Sequence, residues 1–404
     1  MGNIKRKPTF ELWEVLLIAF ISSLIMSLST GYVVYRNQGT TDCSKLATNP
    51  HLGEIINTYN SLLNDYYAEV NEQELKDAAI SGMMNYLDDP YTTYLNENNS
   101  DYLRDTLKGT YEGVGIQLFT NEEGLALIEK VFSGSPAAKA GVKSGDIIKR
   151  INSVEAAGKT ATELVEIIRG SEDPNVTLTV DRNGELLTFN LERTTLFIPV
   201  VEEAVFENNN QKVGYLNVSR FSDTVGEQFK NKLQILEKQS INSLIIDLRG
   251  NTGGYLNGAT DIAELFLKPG SVIYSLKSKM TTTSTKASTQ DFRSYKVYIL
   301  INKGSASASE ILAAALRYSY DKTLLVGETS YGKGKVQHTS DLISGSMLKY
   351  TTAEWLTPKG DCVEGIGLIP DVKVTLTEGV YPYPLNKDAG QDNQLQTAIF
   401  EITK

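Results

Sequence analysis

The sequence predicts a multi-domain α/β protein, in which an N-terminal membrane anchor helix and a small helical segment precede a small β domain and an α/β core with a largely parallel sheet. Three observations carry this prediction. An uncharged apolar run lies near the N-terminus, short alternating strands with glycine-marked turns begin near residue 108, and strands alternate with helical runs from about residue 195. The predicted boundaries are a cytoplasmic tail at 1–11, an anchor at 12–35, a linker and helical segment at 36–107, the β domain at 108–194, the core at 195–376 and a C-terminal tail at 377–404.

The anchor prediction rests on the run at 15–35, which carries no charged residue. At about 1.5 Å per helical residue, such a run spans the roughly 30 Å hydrocarbon core of a bilayer. The basic cluster at 5–7 precedes it and orients the N-terminus towards the cytoplasm. A cleaved signal peptide is the alternative, but the run closes with "STGY" rather than an A-x-A-like site. We therefore expect a single-pass cell-membrane protein whose larger part lies on the extracytoplasmic side.

The composition excludes several functions. Lys and Arg number 39 against 49 Asp and Glu, and the net charge of −10 argues against a nucleic-acid-binding protein, whose binding surface is basic. The two cysteines, Cys43 and Cys362, are too few for a disulfide framework and lack the spacing of a zinc site, although a single bridge between them stays open. We predict no metal, no cofactor and no nucleic-acid partner.

Residues 52–87 carry apolar side chains at helical spacing, which predicts a helical segment. A second helix is predicted from Glu72 to Tyr86, and the apolar positions of the first are Ile55, Ile56, Tyr59, Leu62, Leu63 and Tyr66. Two such helices are too small to form a domain alone. They pack on something larger or on a second copy, so a homo-oligomer is one expectation.

The β domain begins with the strand-like runs at 115–119, 126–131 and 146–151, and Asn183-Gly184 is a strong hairpin signal. The stretch "SGSPAAKAGVKSGDIIKRINS" makes residues 108–194 resemble a PDZ domain. In that family the loop matching Tyr111, Gly113, Val114, Gly115 and Ile116 receives a peptide's terminal carboxylate on backbone N–H groups, and the peptide adds as an edge strand. The alternative is that the two glycines only make a turn.

In the core, "SLIIDLRG" precedes a helical run at 256–267, and "KVYILIN" precedes "SEILAAALRYSY". Strands that alternate with helices indicate an α/β core around a largely parallel sheet. The Ser/Thr-rich stretch "MTTTSTKASTQ" between these units is interpreted as a mobile surface loop.

The stretch "KGSASASEI" places Ser305, Ser307 and Ser309 where the second core strand turns into its helix. Exposed backbone N–H groups and the positive helix end gather at such a turn, which suits a nucleophile. The spacing S-x-x-E from Ser307 to Glu310 also fits a capping box, which needs no chemistry. Local sequence does not separate the three serines.

A serine nucleophile needs a general base, and the chain has only two histidines, His51 and His338. A buried lysine is the other option, because loss of solvation lowers its pKa and leaves an amine that can accept a proton. Lys333 in "SYGKGKVQ" is such a candidate, and Gln337 shares its face in an extended chain. Lys335 lies on the same face, so spacing does not exclude it.

The segment "DLRGNTGG" at 247–254 follows a strand-like run, and its glycines can leave backbone N–H groups free to hold an oxyanion. The phosphate-binding pattern G-x-x-x-x-G-K-[ST] is absent, which disfavours nucleotide binding.

Four segments in this order resemble the C-terminal processing peptidases, serine peptidase family S41, which have a Ser-Lys catalytic centre: "DLRGNTGG", "NKGSASASEILAAAL", "VGETSYGKGKVQ" and "LTPKG" followed by "GIGLIPDV". The resemblance implies that Ser307 is the nucleophile, Lys333 the general base and Gln337 the residue that orients the lysine. It also implies that the backbone N–H groups of Ala308 and Gly253 form the oxyanion hole.

Three departures from the family pattern remove no reacting group. Thr252 stands where the family usually has proline, and "AEWLTPKG" replaces the commoner "ARYYTPSG". The segment between Leu316 and Val326 is one residue longer than in some relatives, which leaves the separation of the serine and the lysine open.

The resemblance implies a membrane-anchored serine endopeptidase that binds substrate C-termini through its PDZ domain and processes or degrades extracytoplasmic proteins. Its partners would be protein or peptide substrates and the membrane. One rival function is a catalytically silent scaffold that only holds peptides. Another is a Ser-His hydrolase that uses His338.

Overall fold

The computed structural model of the chain describes residues 49–121, 124–132, 134–170 and 173–404. The chain forms two compact units, one ending at Met83 and one running from Met84 to Lys404. The predicted cytoplasmic tail and anchor lie outside the described residues, as does Cys43. Among the helices that are described, none is both long and apolar enough to cross a bilayer.

The first unit contributes helix α1, Pro50–Asp65, and most of helix α2, Glu72–Asn85. Asn49 caps α1, because its side chain accepts a hydrogen bond from the backbone N–H of His51. The Tyr59 hydroxyl donates to the Glu72 carbonyl and joins the two helices. No residue of either helix is buried, so the apolar positions that predict the helices are left largely exposed.

The PDZ region is an antiparallel sheet with two short helices. Its six-stranded sheet has the order β3-β4-β5-β7-β8, with β6 paired to β5, and a separate ribbon pairs β2 with β9. Asn183 and Gly184 both have positive φ and turn β7 into β8, as the hairpin signal predicts. The bounds are β2 Thr110–Gly113, β3 Ile116–Thr120, β4 Ala126–Val131, α4 Pro136–Ala140, β5 Ile147–Ile151, β6 Val154–Glu155, α5 Ala161–Arg169, β7 Asn175–Arg182, β8 Glu185–Glu192 and β9 Thr194–Phe197.

The main sheet of the core has six strands in the order β10-β11-β12-β15-β16-β19. The first pair is antiparallel and the other four are parallel. The bounds are β10 Val201–Asn208, β11 Gln211–Val218, α6 Val225–Lys238, β12 Ser243–Asp247, α7 Leu256–Glu264, β15 Lys296–Ile301, α8 Ala308–Ser319, β16 Thr323–Gly327, β19 Val372–Lys373 and α9 Asn393–Ile402.

Helices cover both faces of this sheet, which is why consecutive residues in the middle of its central strands are apolar. Leu244 and Ile246 of β12 pack on the side of α6, α7 and α8, whereas Ile245 packs against α9. The predicted C-terminal tail therefore contains a helix whose apolar face, with Leu395 and Ile399, is part of the core.

The expectation of a largely parallel sheet holds for only one of the two sheets. The second sheet has the order β1-β18-β13-β14, with β17 paired to β18, and all its pairs are antiparallel. Short hairpin connections join β13 to β14 and β17 to β18, whereas β1 and β13 pair with β18 across long stretches of chain. The stretch interpreted as a mobile loop contains β14. The bounds are β1 Thr93–Leu95, α3 Glu97–Lys108, β13 Val272–Ser278, β14 Thr282–Lys286, β17 Lys335–Asp341 and β18 Met347–Leu356.

Candidate active site

Ser307 lies at the turn between β15 and α8. Its backbone has φ 56° and ψ −116°, a combination that residues with a side chain rarely adopt. Such a conformation persists only where the surrounding structure enforces it, and a sharp strand-to-helix turn exposes the side chain at its tip. Ser307 lines a cavity of about 210 Å³, called here the Ser307 cavity, whose other lining residues are Leu103, Leu107, Thr252, Gly254, Tyr255, Leu256, Lys333, Lys335, Val336, Gln337, Thr339 and Lys349.

The neighbouring serines have structural partners. Ser305 Oγ donates to the Leu248 carbonyl and Ser309 Oγ donates to the Asn251 carbonyl, each at 2.8 Å. Both serines are fully buried. Their hydroxyl groups therefore connect the serine turn to the loop at 247–254 by hydrogen bonds. Of the three serines, Ser307 is the one that lines the cavity.

The carboxylate of Glu310 joins the serine turn to the lysine loop. Its Oε2 accepts hydrogen bonds from the backbone N–H groups of Ser307 and Lys333, both at 2.9 Å. Its Oε1 accepts from the N–H of Gly332 at 2.7 Å and from the Ser330 hydroxyl at 2.6 Å. The hydrogen bond from Ser307 is one of the two that a capping box contains. The other three hydrogen bonds that Glu310 accepts come from residues 330–333, which lie outside that motif.

Lys333 is half-buried, and its Nζ lies 4.8 Å from the centroid of the Tyr91 ring. Burial lowers the pKa of Lys333 most, and the positive charge of Lys349 lowers it further. Burial also raises the pKa of Tyr91 to about 12, helped by the charge of Glu364, so the phenol stays neutral. Within the described residues, Nζ of Lys333 makes no hydrogen bond to Ser307 or Gln337.

Lys335, the other lysine of the loop, is held in its charged form by an ion pair. Nζ of Lys335 lies 2.6 Å from Oε1 of Glu354, and this hydrogen bond raises the pKa of Lys335. Gln337 Nε2 donates to Thr351 Oγ1 at 3.3 Å, which fixes the amide beside the cavity. Lys333 is thus the lysine whose surroundings favour the neutral amine, while Lys335 is held charged.

The glycine loop packs directly against the serine turn. A Cβ on Gly253, whose φ is 99°, would lie 2.9 Å from Ser307 Cβ and 3.0 Å from the Ala308 nitrogen. The Gly253 N–H donates to Asn251 Oδ1 at 2.9 Å. The Ala308 N–H has no hydrogen-bond partner in the described part of the chain. Of the two N–H groups predicted to hold the oxyanion, that of Ala308 is therefore free within the described residues, whereas that of Gly253 already donates to Asn251.

A buried ionic network holds the strand that carries this loop. Arg249 Nη2 lies 2.5 Å from Asp247 Oδ2 and 2.8 Å from Asp392 Oδ2, and all three side chains are almost fully buried. Arg249 Nη1 also donates to Gln394 Oε1 at 3.0 Å, and the Tyr215 hydroxyl donates to Asp247 Oδ2 at 2.7 Å. The network connects α9 to the first residues of the glycine loop.

The five predicted peptide-binding residues line a second cavity, of about 310 Å³: Tyr111, Gly113, Val114, Gly115 and Ile116. Residues Ile168 and Arg169 of α5 also line this cavity. Strand β3 is an edge strand of its sheet, so the side facing this cavity is open to a further strand.

The histidines and cysteines form no comparable site. His338 is exposed on β17 and contacts the Tyr350 ring, and it does not line the Ser307 cavity. His51 lies in α1, in the first unit. Cys362 has no disulfide partner among the residues that the structure describes, and Cys43 lies outside them. Within the described ranges, no cluster of three or more His, Cys, Asp or Glu side chains could hold a metal ion.

Sequence reasoning missed several residues around the cavity. Tyr91 reaches Lys333 from the stretch that follows the predicted helix ending at Tyr86, and nothing in the spacing of residues so far apart links the two. Lys349 and Thr351 lie on β18, which the antiparallel pairing with β17 brings alongside. Glu310 was visible as a helix-capping residue, but its bonds to the lysine loop depend on the tertiary fold.

Models of three families match the chain: Peptidase family S41 over residues 212–374, PDZ domain over residues 127–182, and the N-terminal domain of the activating protease CtpB over residues 21–99. A protein of Staphylococcus aureus (strain MRSA252) described as a CtpA-like serine protease is 31% identical over 376 residues, which are 92% of this chain and 74% of the relative.

A protein of the same description from Staphylococcus epidermidis is 31% identical over 372 residues, which are 90% of this chain and 74% of the relative. Among solved structures, one described as an S41 protease of Bacteroides fragilis matches with a TM-score of 0.50 and 18% identity, covering 84% of this chain and 91% of that chain. At that identity the likeness concerns the fold alone.

Proposed function

The chain belongs to peptidase family S41 and is a serine-type peptidase with a PDZ domain, and from this premise we propose that it cleaves peptide bonds with Ser307 as nucleophile and Lys333 as general base. The observation that carries the proposal is that both side chains line one cavity, together with Gln337. The surroundings of Lys333 favour its neutral amine, which is the form a base requires.

The reaction follows from these positions. Neutral Lys333 accepts the proton of the Ser307 hydroxyl as the oxygen attacks the substrate carbonyl, and Gln337 orients the amine. The N–H of Ala308 stabilises the oxyanion, and the N–H of Gly253 joins it once it leaves Asn251. The leaving amine takes the proton, and water activated by Lys333 then releases the acyl group from Ser307. Hydrogen bonds of this kind commonly tighten when substrate binds.

Three variants of the full chain, assayed on an unstructured protein substrate, test the proposal. We expect Ser307→Ala and Lys333→Met to lower kcat/KM by about a thousandfold or more, because each removes a reacting group. His338→Ala is the matched control and should cleave as the parent does. Full activity of Ser307→Ala would refute the assignment. A parent that cleaves nothing but binds C-terminal peptides would favour the scaffold.

The biological setting is also part of the proposal. The apolar run at 15–35 supports a single-pass membrane anchor with the peptidase on the extracytoplasmic side, where it would process or degrade proteins bound by their C-termini. The exposed apolar side chains of α1 support association with a second copy. Membrane fractionation, followed by sedimentation of the detergent-solubilised protein, tests both points. Recovery in the soluble fraction or as a monomer would contradict them.

A further inference from the structure

A second lysine, Lys349, lines the Ser307 cavity together with Lys333. In the β17–β18 pair, Thr339 lies opposite Lys349 and Gln337 lies opposite Thr351. Directly opposed residues and their next-but-one neighbours project from the same face of a sheet. That face bears Gln337 and Thr339, both of which line the cavity, so the position of Lys349 follows from the strand register.

The charge of Lys349 is not compensated. Its side chain is half-buried, and within the described residues it makes no ion pair and no hydrogen bond. The contrast with Lys335 is direct, because Glu354 lies 2.6 Å from the Nζ of Lys335 and neutralises its charge. The positive charge of Lys349, unlike that of Lys335, is therefore not neutralised by an ion pair within the described residues, and it acts on Lys333.

The groups that face Lys333 come from four segments: Lys349 from β18, Glu310 from α8, Glu364 from the loop after β18, and Asp89 and Tyr91 from the segment before β1. The three carboxylates favour the charged lysine, but each also accepts hydrogen bonds from other donors. Glu364 accepts from the Gly334 N–H at 2.6 Å, and Asp89 accepts from the Tyr91 N–H at 3.0 Å.

We propose that Lys349 is a positioning residue for the reaction: its uncompensated positive charge disfavours a second positive charge on Lys333 and so favours the neutral amine. The inference rests on the proposed Ser307–Lys333 mechanism. An adjacent cation in a partly dry site is a known physical means of activating a lysine, because two like charges at short range raise the cost of protonating both.

The electrostatics of the site agree with this role. Burial is the largest cause that lowers the pKa of Lys333, and the charge of Lys349 is the next. Removing the charge of Lys349 should therefore raise the pKa of Lys333. At pH values below that pKa the neutral fraction of Lys333 would fall, whereas well above it the neutral fraction would be unchanged.

The first measurement is the pH dependence of kcat/KM for the full chain. Lys349→Met, or Lys349→Gln if the first variant does not fold, should move the acid limb of the profile to higher pH, with rates that converge with those of the parent at high pH. Lys349→Arg keeps the positive charge, so the acid limb of its kcat/KM profile should lie at the same pH as that of the parent. Lys359→Met is the matched control, since Lys359 is exposed and does not line the cavity.

The second measurement titrates Lys333 without catalysis. In a Ser307→Ala background, the rate of acetylation of Lys333 by acetic anhydride is followed against pH by mass spectrometry. A higher midpoint in Lys349→Met, matched by the shift of the rate profile, supports the proposal. If Lys349→Met leaves the midpoint of the Lys333 titration unchanged, the proposal is overturned. If this variant then also lowers kcat/KM equally at every pH, Lys349 binds a substrate carboxylate instead. A moved midpoint with an unmoved rate profile refutes Lys333 as the base, and with it this role of Lys349.

Discussion

The buried carboxylate of Glu310 shows how one side chain sets the relative position of two others. It accepts hydrogen bonds from the N–H groups of Ser307 and Lys333, and two more bonds from Gly332 and Ser330. Charge-assisted bonds of this type are about twice as strong as neutral ones, and leaving a buried donor unpaired is costly. The separation of the serine and lysine backbones therefore depends on Glu310.

We predict that Glu310→Gln weakens both the fold and the site. The amide keeps one acceptor oxygen but turns an NH₂ group towards N–H donors, so at least one donor loses its partner. We expect the free energy of unfolding to fall by about 2–4 kcal/mol and kcat to fall on the order of a hundredfold, since the reacting groups are displaced. Urea unfolding and steady-state kinetics measure these changes.

Glu207→Gln is the matched control for this variant, because Glu207 is exposed on β10. It makes the same chemical change where no buried donor depends on the carboxylate. If Glu310→Gln is as stable and as active as Glu207→Gln, the joining role of Glu310 is wrong.

At the scale of elements, the C-terminal helix α9 is tied to the core through Asp392 and Arg249. Burial acts to raise the pKa of Asp392, but the hydrogen bonds and the charge of Arg249 outweigh it and hold the pKa below its usual value. A carboxyl with a depressed folded-state pKa contributes stability at pH values above its unfolded pKa. That contribution is lost as the pH falls through the folded-state pKa.

We predict that Asp392→Asn costs about 3–5 kcal/mol of stability at pH 7, because it leaves the buried charge of Arg249 partly uncompensated. The difference from the parent should stay constant down to about pH 5. It should narrow below about pH 4, where Asp392 of the unfolded parent takes up a proton, and continue to narrow until the pH has fallen through the lower folded-state pKa. Urea unfolding across this range tests the prediction. Asp321→Asn, at an exposed position, should change little, and an equal effect of the two variants would count against the network.

The elements show where sequence patterns succeed. Asn183-Gly184 predicts its hairpin because a type I′ turn needs positive φ, and the alternation of strands and helices predicts the parallel part of the main sheet. The second, antiparallel sheet was not predicted. Its strand β1 lies far from β18 in sequence, and β14 is a polar edge strand that carries no apolar alternation.

At the scale of the whole molecule, the PDZ region and the core belong to one compact unit. The cavity beside β3 is lined in part by Gly115, whose φ is 87° and where a Cβ would lie 2.1 Å from Ser135 Cβ. Any side chain at this position would displace the loop. The shape of the cavity that is proposed to bind substrate C-termini thus depends on a glycine.

We predict that Gly115→Ala, in a Ser307→Ala full chain, weakens binding of a free C-terminal peptide by at least about tenfold, because the loop N–H groups move. Amidation of the peptide's C-terminus should weaken its binding to the Ser307→Ala chain that retains Gly115 by a similar factor. Fluorescence anisotropy measures both. Gly184→Ala has nearly the same φ, 88°, but open space around it, and should bind as the parent does. Equal affinities for acid and amide peptides would argue against carboxylate recognition.

The family, the PDZ region and the candidates for nucleophile and base could be predicted from the amino-acid sequence alone, because each rests on a contiguous motif that can be identified without knowledge of the fold. Tertiary packing was needed to show that Ser305 and Ser309 are buried while Ser307 lines the cavity. It was also needed to show that Lys335 pairs with Glu354, whereas Lys333 forms no ion pair among the described residues. Exposure, pairing and pKa depend on which distant segments pack together. Tyr91, Glu354 and Lys349 act on these residues from such segments, and local spacing carries no information about them.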